Sequence, residues 1–281
     1  MKVKKNRDSF KTWILRMIML FFTLIVAVPL IWNISSSLKT SKEFLKNPWA
    51  LPNSFFVENY LNAITKANMG EYFLNSIYVT VLGLIILVAL AVPSAYALAR
   101  HKFFGKKIIK TVYMAGLFIQ SVYIIVPLFL IMNGLKLTDN LTALALVYAV
   151  LSLPFSIYIL ISFMKTLPKD YEEAAYIDGC SNFQMLFKII VPLAKPGIIT
   201  VIIFNFMGYW NEYALATTLI FSEKKRTLSV GLQYLMEQQK FATDWGAMFA
   251  GLVIVMVPTI IIYCLVHKKL TEGVSIGGVK G

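Results

Sequence analysis

Runs of residues without a charged side chain constrain the fold of this chain more than any other feature. Five such runs have 22 to 28 residues each and cover 17–38, 72–99, 111–135, 140–164 and 245–266. A helix that crosses the hydrocarbon core of a bilayer needs about 20 apolar residues, and it satisfies its backbone hydrogen bonds internally. The runs therefore predict membrane-spanning helices.

The composition and one further segment complete a prediction of six spans. Hydrophobic residues make up 58% of the chain and charged residues 15%, whereas soluble domains carry about 25% charged residues. A sixth apolar segment, at 196–221, is interrupted by a single acid, Glu212. We predict an all-α integral membrane protein in which 1–281 forms one transmembrane domain. Its spans are expected at about 14–38, 72–99, 110–134, 140–164, 196–221 and 245–267.

The distribution of Lys and Arg predicts the orientation of these spans. Six spans place both termini on one side, and 18 of the 27 Lys and Arg residues fall on that side. Cytoplasmic loops carry an excess of Lys and Arg, so the termini and the segment 168–195 are predicted to be cytoplasmic. The net charge of +13 does not indicate nucleic-acid binding, because the basic residues are scattered over several loops. The first apolar run is longer than the roughly 7–15 residues of a signal sequence, so we expect it to be retained.

A polar segment at 168–195 separates two of the apolar runs. Its first part predicts a short helix with acids in the first turn and alanines behind them: Asp170, Glu172, Glu173, Ala174 and Ala175. Acidic side chains stabilise the positive N-terminal end of a helix. Gly179 is predicted to end this helix, because glycine adopts the left-handed conformation at little cost.

A second helix is predicted to follow directly. Ser181 and Gln184 have the spacing of a capping box, and Pro192 is expected to end the helix. Four apolar residues have helical spacing and predict one apolar face: Phe183, Leu186, Phe187 and Ile190. An amphipathic helix in the membrane interface would explain this second helix. It would not explain the acidic, alanine-rich first helix, which is better suited to a groove on a partner protein.

Three stretches resemble a known family. Glu173-Ala174-Ala175, Gly179, Ile189 and Pro192 have the spacing of the EAA loop in permease subunits of ATP-binding-cassette importers, although Val191 stands where that family usually has leucine. The sequence YWNEY at 209–213 is similar to a W-N-E motif of the carbohydrate-uptake branch. The sequence VSIGGVKG at 274–281 is similar to the C-terminal tail of the maltose-type second permease.

This resemblance implies a type I ABC importer transmembrane-domain fold in a bacterial plasma (inner) membrane. It implies that the segment 168–195 is a coupling loop that docks in a cleft on a dimer of separate ATPase subunits. The residues expected there are Glu172, Glu173, Ala174, Ala175, Asp178, Gly179, Ile189 and Pro192. It also implies that Gly277, Gly278 and Lys280 belong to a tail that reaches the ATPases. The other implied partners are a second, non-identical six-span permease and an extracytoplasmic sugar-binding protein, with a sugar as substrate.

The expected cofactors belong to the separate ATPase subunits and not to this chain. The sequence has no G-x-x-x-x-G-K-[ST] motif, so we do not expect this chain to bind ATP. ATP and magnesium are expected on the partner ATPase, and this chain alone is not expected to be an enzyme. Its two cysteines have no metal-ligand spacing, so no metal site is predicted.

The acid in the fifth span predicts a second functional region. An ionisable side chain inside a membrane is costly and should face protein or water. We assign Asn205, Tyr209, Trp210, Asn211 and Glu212 to a translocation pathway or gate. Two interpretations remain open. These side chains could contact sugar hydroxyls and sugar faces, or they could join helices that fix the permease pair or close an outer gate.

Two alternative functions are retained. An importer permease for an amino acid, a peptide or phosphate would also carry an EAA loop, but the W-N-E motif and the tail favour a sugar. A stand-alone secondary transporter would usually need several ionisable residues inside the membrane, and Glu212 is the single clear candidate away from the span ends.

Overall fold

The computed structural model describes residues 9–238 and 244–278, and over these ranges the chain forms helices and no strand. The first seven helices are α1 (Ser9–Ser37), α2 (Ser41–Lys46), α3 (Glu58–Thr65), α4 (Met69–Arg100), α5 (Lys106–Gly116), α6 (Ser121–Gly134) and α7 (Leu141–Thr166). They are followed by α8 (Asp170–Ile177), α9 (Asn182–Met185), a π-helical turn (Leu186–Ile190), α10 (Val191–Leu193), α11 (Lys195–Trp210), α12 (Ala214–Leu219), a 3-10 turn (Glu223–Lys225), α13 (Leu228–Gln238) and α14 (Trp245–Gly278). The predicted all-α class is confirmed.

Four helices in the described ranges, α1, α4, α7 and α14, are long and apolar enough to cross a bilayer. Two further bent pairs of helices bring the number of spans to as many as six. One is α5 with α6, which meet at 106° where a single helix at 110–134 was predicted. The other joins the stretch 182–193 to α11 at 74°. The predicted span 196–221 divides into α11 and α12, with 211–213 between them.

By its internal packing the chain divides into two compact units, and one of them comprises 68–233 and 257–278. Its core lies where α4 packs against α7 and α11. Fully buried side chains include Val79 and Leu87 on α4 and Ile157 and Leu160 on α7. Gly83 allows α4 to approach α11 closely, because a Cβ atom there would lie 3.1 Å from the ring of Tyr209.

The other unit comprises 9–67, 234–238 and 244–256 within the described ranges. Aromatic rings form its core, with the ring centroids of Phe44 and Phe249 4.8 Å apart and those of Trp32 and Phe249 5.3 Å apart. The buried Asn59 amide donates hydrogen bonds of 2.8 Å to the carbonyls of Ser37 and Lys39. Among the residues that the structure describes, none covers the most apolar stretch of α1 enough to bury a side chain there, so that surface is available to lipid or to another protein.

Candidate functional site

The polar segment at 168–195 folds as the hairpin that the sequence predicts. The helix α8 ends before Gly179, whose φ of +77° lies in the left-handed region. The predicted capping box is confirmed, because the Ser181 hydroxyl accepts from the Gln184 amide N–H and the Gln184 side chain accepts from the Ser181 N–H. The hairpin therefore has a fixed bend and a fixed start to its second arm.

The second arm of the hairpin differs from the prediction in two respects. Pro192 does not end the helix: the chain passes through a π-helical turn into α10, which contains Pro192. A proline clashes with the carbonyl four residues before it, and a wider turn relieves that clash. The predicted apolar face is also split. Leu186 and Ile190 are buried, whereas Phe183 and Phe187 are exposed with their ring centroids 4.5 Å apart.

Arg100, the last residue of α4, connects the hairpin to the membrane helices. Its Nη2 donates to the Leu167 carbonyl at 2.6 Å, and its Nε lies 3.2 Å from the Glu172 carboxylate. Tyr96, one turn earlier, donates from its hydroxyl to the sulfur of Met185 at 3.2 Å. Both arms of the hairpin are therefore tied to the end of α4.

The structure divides the predicted coupling residues into anchors and surface residues. Ala175 is buried, and Glu172 is held by the contact with Arg100. Ile189 is half-buried. The exposed members of the set are Glu173, Ala174, Asp178, Gly179 and Pro192. A groove of about 390 Å³ runs beside them and is lined by residues of α4, α8 and α9.

A cavity of about 510 Å³ lies among α7, α11 and the breaks between α5 and α6 and between α11 and α12. Three of the predicted pathway residues line it: Asn205, Tyr209 and Glu212. The other two lie outside its lining. Trp210 is buried against the rings of Phe73 and Phe206, and Asn211 is exposed with its amide donating to the Met207 carbonyl.

The carboxylate of Glu212 is satisfied by groups of its own chain. It accepts from the Tyr148 hydroxyl at 2.6 Å and from the backbone N–H groups of Leu215 and Ala216 at 2.7 and 3.0 Å. Hydrogen bonds to a charged group are stronger than those between neutral groups. Glu212 therefore fixes the start of α12 and joins it to α7.

The other cavity residues with polar side chains are also held in place. The Asn205 amide donates to the Ser156 hydroxyl at 3.0 Å and to the Val201 carbonyl at 2.8 Å. The Tyr209 hydroxyl donates to the Tyr148 carbonyl at 3.0 Å. Tyr148 is the residue that the sequence reasoning missed here, although a hydroxyl inside an apolar run is a signal for such a contact.

A polar cluster connects the turn before α7 with the segment after α12. The Asp139 carboxylate accepts from the N–H groups of Phe221 and Ser222, from the Ser222 hydroxyl and from Lys225, whose Nζ lies 2.9 Å away. Partial burial by itself would raise the pKa of Asp139, but these hydrogen bonds outweigh it and hold the pKa well below its ordinary value.

The predicted tail lies at the edge of the described ranges. Gly277 and Gly278 are the last two residues of α14. Lys280 lies outside the residues that the structure describes.

Three features together define a class of protein, the multi-pass membrane transport component. They are the long apolar helices, the broken spans around a partly polar cavity, and the polar hairpin tied to the helix ends. The chain belongs to the family of binding-protein-dependent transport system inner membrane components, whose model matches residues 90–270. It is accordingly a multi-pass protein of the inner membrane.

Named relatives match along most of the chain. It is 38% identical to the diacetylchitobiose uptake system permease protein NgcG of Streptomyces coelicolor, over 92% of this chain and 86% of that protein. It is 37% identical to the sulfoquinovosyl glycerol transport system permease protein SmoH of Agrobacterium fabrum, over 90% of this chain and 88% of that one. Its fold matches a chain of a bacterial ABC transporter involved in the import of alginate, with a TM-score of 0.82, 23% identity and coverage of 95% and 99%.

Proposed function

We propose that this chain is a permease subunit of an ATP-binding-cassette importer that carries a sugar or oligosaccharide into the cell. The observation that supports this most is the full-length similarity to permeases named for diacetylchitobiose and sulfoquinovosyl glycerol, which both contain sugar units. A stand-alone secondary transporter is disfavoured by membership of a binding-protein-dependent family. An importer permease for a non-sugar solute is disfavoured by the names of these two relatives.

The hairpin at 168–195 is proposed to be the contact with the ATPases. Its exposed acidic and small residues, Glu173 and Ala174 among them, form a surface that this chain leaves uncovered. By contrast, the buried hairpin residues Leu186 and Ile190 belong to the apolar core of the chain. ATP and magnesium are proposed to bind to a dimer of separate ATPase subunits, so this chain binds no cofactor and is no enzyme alone. The tail at Gly277, Gly278 and Lys280 is proposed as a second contact with the ATPases.

The cavity residues are proposed to act first as a gate that fixes the broken fifth span. Glu212 uses both carboxylate oxygens within the chain, and the Asn205 amide and the Tyr209 hydroxyl are also engaged. A residue whose hydrogen-bonding groups are engaged must break those bonds before it binds a sugar hydroxyl. This arrangement favours helix joining over direct sugar contact.

The remaining partners are proposed from the family and from one surface. A second, non-identical permease or lipid would cover the apolar surface of α1, which the chain leaves exposed. An extracytoplasmic sugar-binding protein would deliver the substrate on the side opposite the termini. Both termini are proposed to face the cytoplasm because of the Lys and Arg distribution.

Reconstitution tests the proposal. The chain is produced together with a second permease, an ATPase and a sugar-binding protein from the same organism, and uptake into proteoliposomes is measured. Uptake should require ATP and the loaded binding protein, and calorimetry of that binding protein should show affinity for a sugar. Transport by this chain with no other polypeptide would refute the proposal. A binding protein that prefers an amino acid, a peptide or phosphate would refute the sugar assignment alone.

A substitution at Glu173 tests the coupling role of the hairpin separately. Glu173→Lys reverses the charge of an exposed residue, so membrane insertion should be unaffected. Transport should decouple from ATP hydrolysis, because the reversed charge changes the surface that meets the ATPase. If the Glu173→Lys complex still copurified and hydrolysed ATP in response to the loaded binding protein, the hairpin would not be the coupling element.

A further inference from the structure

The C-terminal end of α4 makes two contacts with the hairpin, one with each arm. Arg100 contacts Glu172 in α8, and Tyr96 contacts Met185 in α9. The Arg100 side chain is 7% exposed and that of Glu172 is 17% exposed. A charge in such a position is strongly unfavourable without its partner. The pair therefore holds the hairpin in one position relative to α4.

Arg100 also fixes the connection between α7 and the hairpin. Its guanidinium donates to the carbonyl of Leu167, which is the residue directly after α7. The same planar guanidinium therefore makes a hydrogen bond to the Leu167 carbonyl and an ion pair, without a hydrogen bond, to the Glu172 carboxylate. Lysine, with a single ammonium group, lacks that geometry.

The helix α4 continues from this point to the cavity. Gly83 and Arg100 are 17 positions apart along one continuous helix, a distance of about 25 Å at 1.5 Å per residue. At Gly83 the helix backbone lies against the ring of Tyr209, which lines the cavity. Pro93 lies between the two contacts and removes one backbone hydrogen bond, but Leu87, Ala91 and Ala95 on the same stretch are fully buried in the core. A close-packed interior transmits strain, so displacement at Arg100 can reach Gly83 through the helix and its packing.

We infer that Arg100 is a positioning residue that joins the hairpin and α4 into one mechanical unit, so that displacement of the hairpin is passed along α4 to the cavity wall at Tyr209. The inference rests on the proposed function, because it needs an ATPase to move the hairpin. It assigns to Arg100 and Glu172 a role distinct from that of the exposed residues that would touch the ATPase.

The test compares transport and ATP hydrolysis in the complete transporter in proteoliposomes. Arg100→Gln and Glu172→Gln should each lower the amount of solute carried per ATP by about fivefold or more, the lower end of typical coupling effects. The double variant should be no worse than Arg100→Gln, because the two residues act through one contact. Arg100→Lys keeps the charge but not the geometry, so it should fall between Arg100→Gln and the wild type. Lys102→Gln removes the same charge from an exposed neighbour and should behave as the wild type.

A second readout does not depend on transport. Hydrogen exchange of the backbone amides in α8 should become faster in the Arg100→Gln complex and remain unchanged in the Lys102→Gln complex. If Arg100→Gln does not assemble, the Arg100→Lys complex gives the same comparison. Unchanged exchange in α8, or unchanged solute per ATP, would overturn the inference. A loss of transport in proportion to ATP hydrolysis would also overturn it, because that pattern indicates a merely structural role. Failure of the wild-type complex to import any sugar would instead refute the proposed function.

Discussion

The Tyr148 hydroxyl in α7 lies 2.6 Å from the Glu212 carboxylate, which also accepts two backbone N–H groups at the start of α12. One side chain thus joins a continuous span to the break in another. The only acid in the predicted fifth span is a structural contact within the chain, and it also lines the cavity. Substitution of Glu212 should therefore reduce transport more than substitution of its partner Tyr148.

Glu212→Gln should reduce transport while the transporter still assembles. The amide side chain keeps one oxygen acceptor but loses the charge and replaces the second acceptor with a donor. We expect uptake in proteoliposomes to fall several-fold and copurification of the subunits to persist. Normal uptake of every sugar that the wild type carries would show that the acid has no part in gating.

Tyr148→Phe serves as the matched comparison for the same contact. It removes one of the three hydrogen bonds to Glu212 and leaves both backbone donors in place. The expected loss of stability is about 1.5–3 kcal/mol, the usual contribution of one hydrogen bond to a charged group. Thermal unfolding in detergent measures it, and the loss of transport should be smaller than in Glu212→Gln. A larger loss than in Glu212→Gln would contradict the assignment of Glu212 as the central group.

Gly179→Ala should weaken the hairpin through its backbone alone. The φ of Gly179 is +77°, and a Cβ atom there would meet no other atom within 4 Å. The left-handed conformation costs an alanine about 1–2 kcal/mol. Transport per ATP should fall, whereas Gly179→Asn should be milder because asparagine tolerates this conformation. Gly134→Ala is the control, since that position is equally open and its φ is not positive. Equal effects at 134 and 179 would exclude the backbone explanation.

Asp139→Asn should lower the thermal stability of the folded chain in a pH-dependent manner. The pKa of Asp139 is held below its ordinary value, so the ionised form stabilises the fold. This contribution is complete above the unfolded-state pKa of about 4 and is lost as the pH falls toward the folded-state pKa. The difference in Tm between wild type and Asp139→Asn should therefore be larger at pH 7 than at pH 3. A difference that grows on acidification would contradict the assignment.

Gly231→Ala should be destabilising even though alanine is the better helix former. A Cβ atom at Gly231 in α13 would overlap the ring of Tyr72, which is 2% exposed and has little room to move. Overpacking of a filled site costs about 1–3 kcal/mol, whereas alanine in place of an open helical glycine gains up to about 1 kcal/mol. Thermal unfolding should show opposite signs for Gly231→Ala and Gly134→Ala. A rise in Tm for Gly231→Ala would contradict the close approach to Tyr72.

The hairpin shows which structural features local sequence patterns predict correctly and which they do not. The end of α8 at Gly179 and the capping box of Ser181 and Gln184 were predicted correctly, because each depends on residues within a few positions of one another. The role of Pro192 was predicted wrongly, since the preceding turn widens to accommodate it. The predicted apolar face is confirmed for Leu186 and Ile190, which are buried, but not for Phe183 and Phe187, which are exposed. Which apolar side chains the core covers depends on distant helices, and the local spacing does not report it.

The sequence by itself determined the all-helical membrane class, because lipid requires long apolar segments whose backbone groups bond internally. It also determined the family, through motifs that are contiguous in the chain. Only the tertiary structure decided that α5 and α6 are separate helices and that Arg100 holds Glu172. Only the tertiary structure, likewise, placed Tyr148 against Glu212. These features depend on side chains more than 60 positions apart in the chain, as for Tyr148 and Glu212, or on the direction of a helix. Hydropathy reports how apolar a segment is, and it contains no information on which distant residue the segment meets.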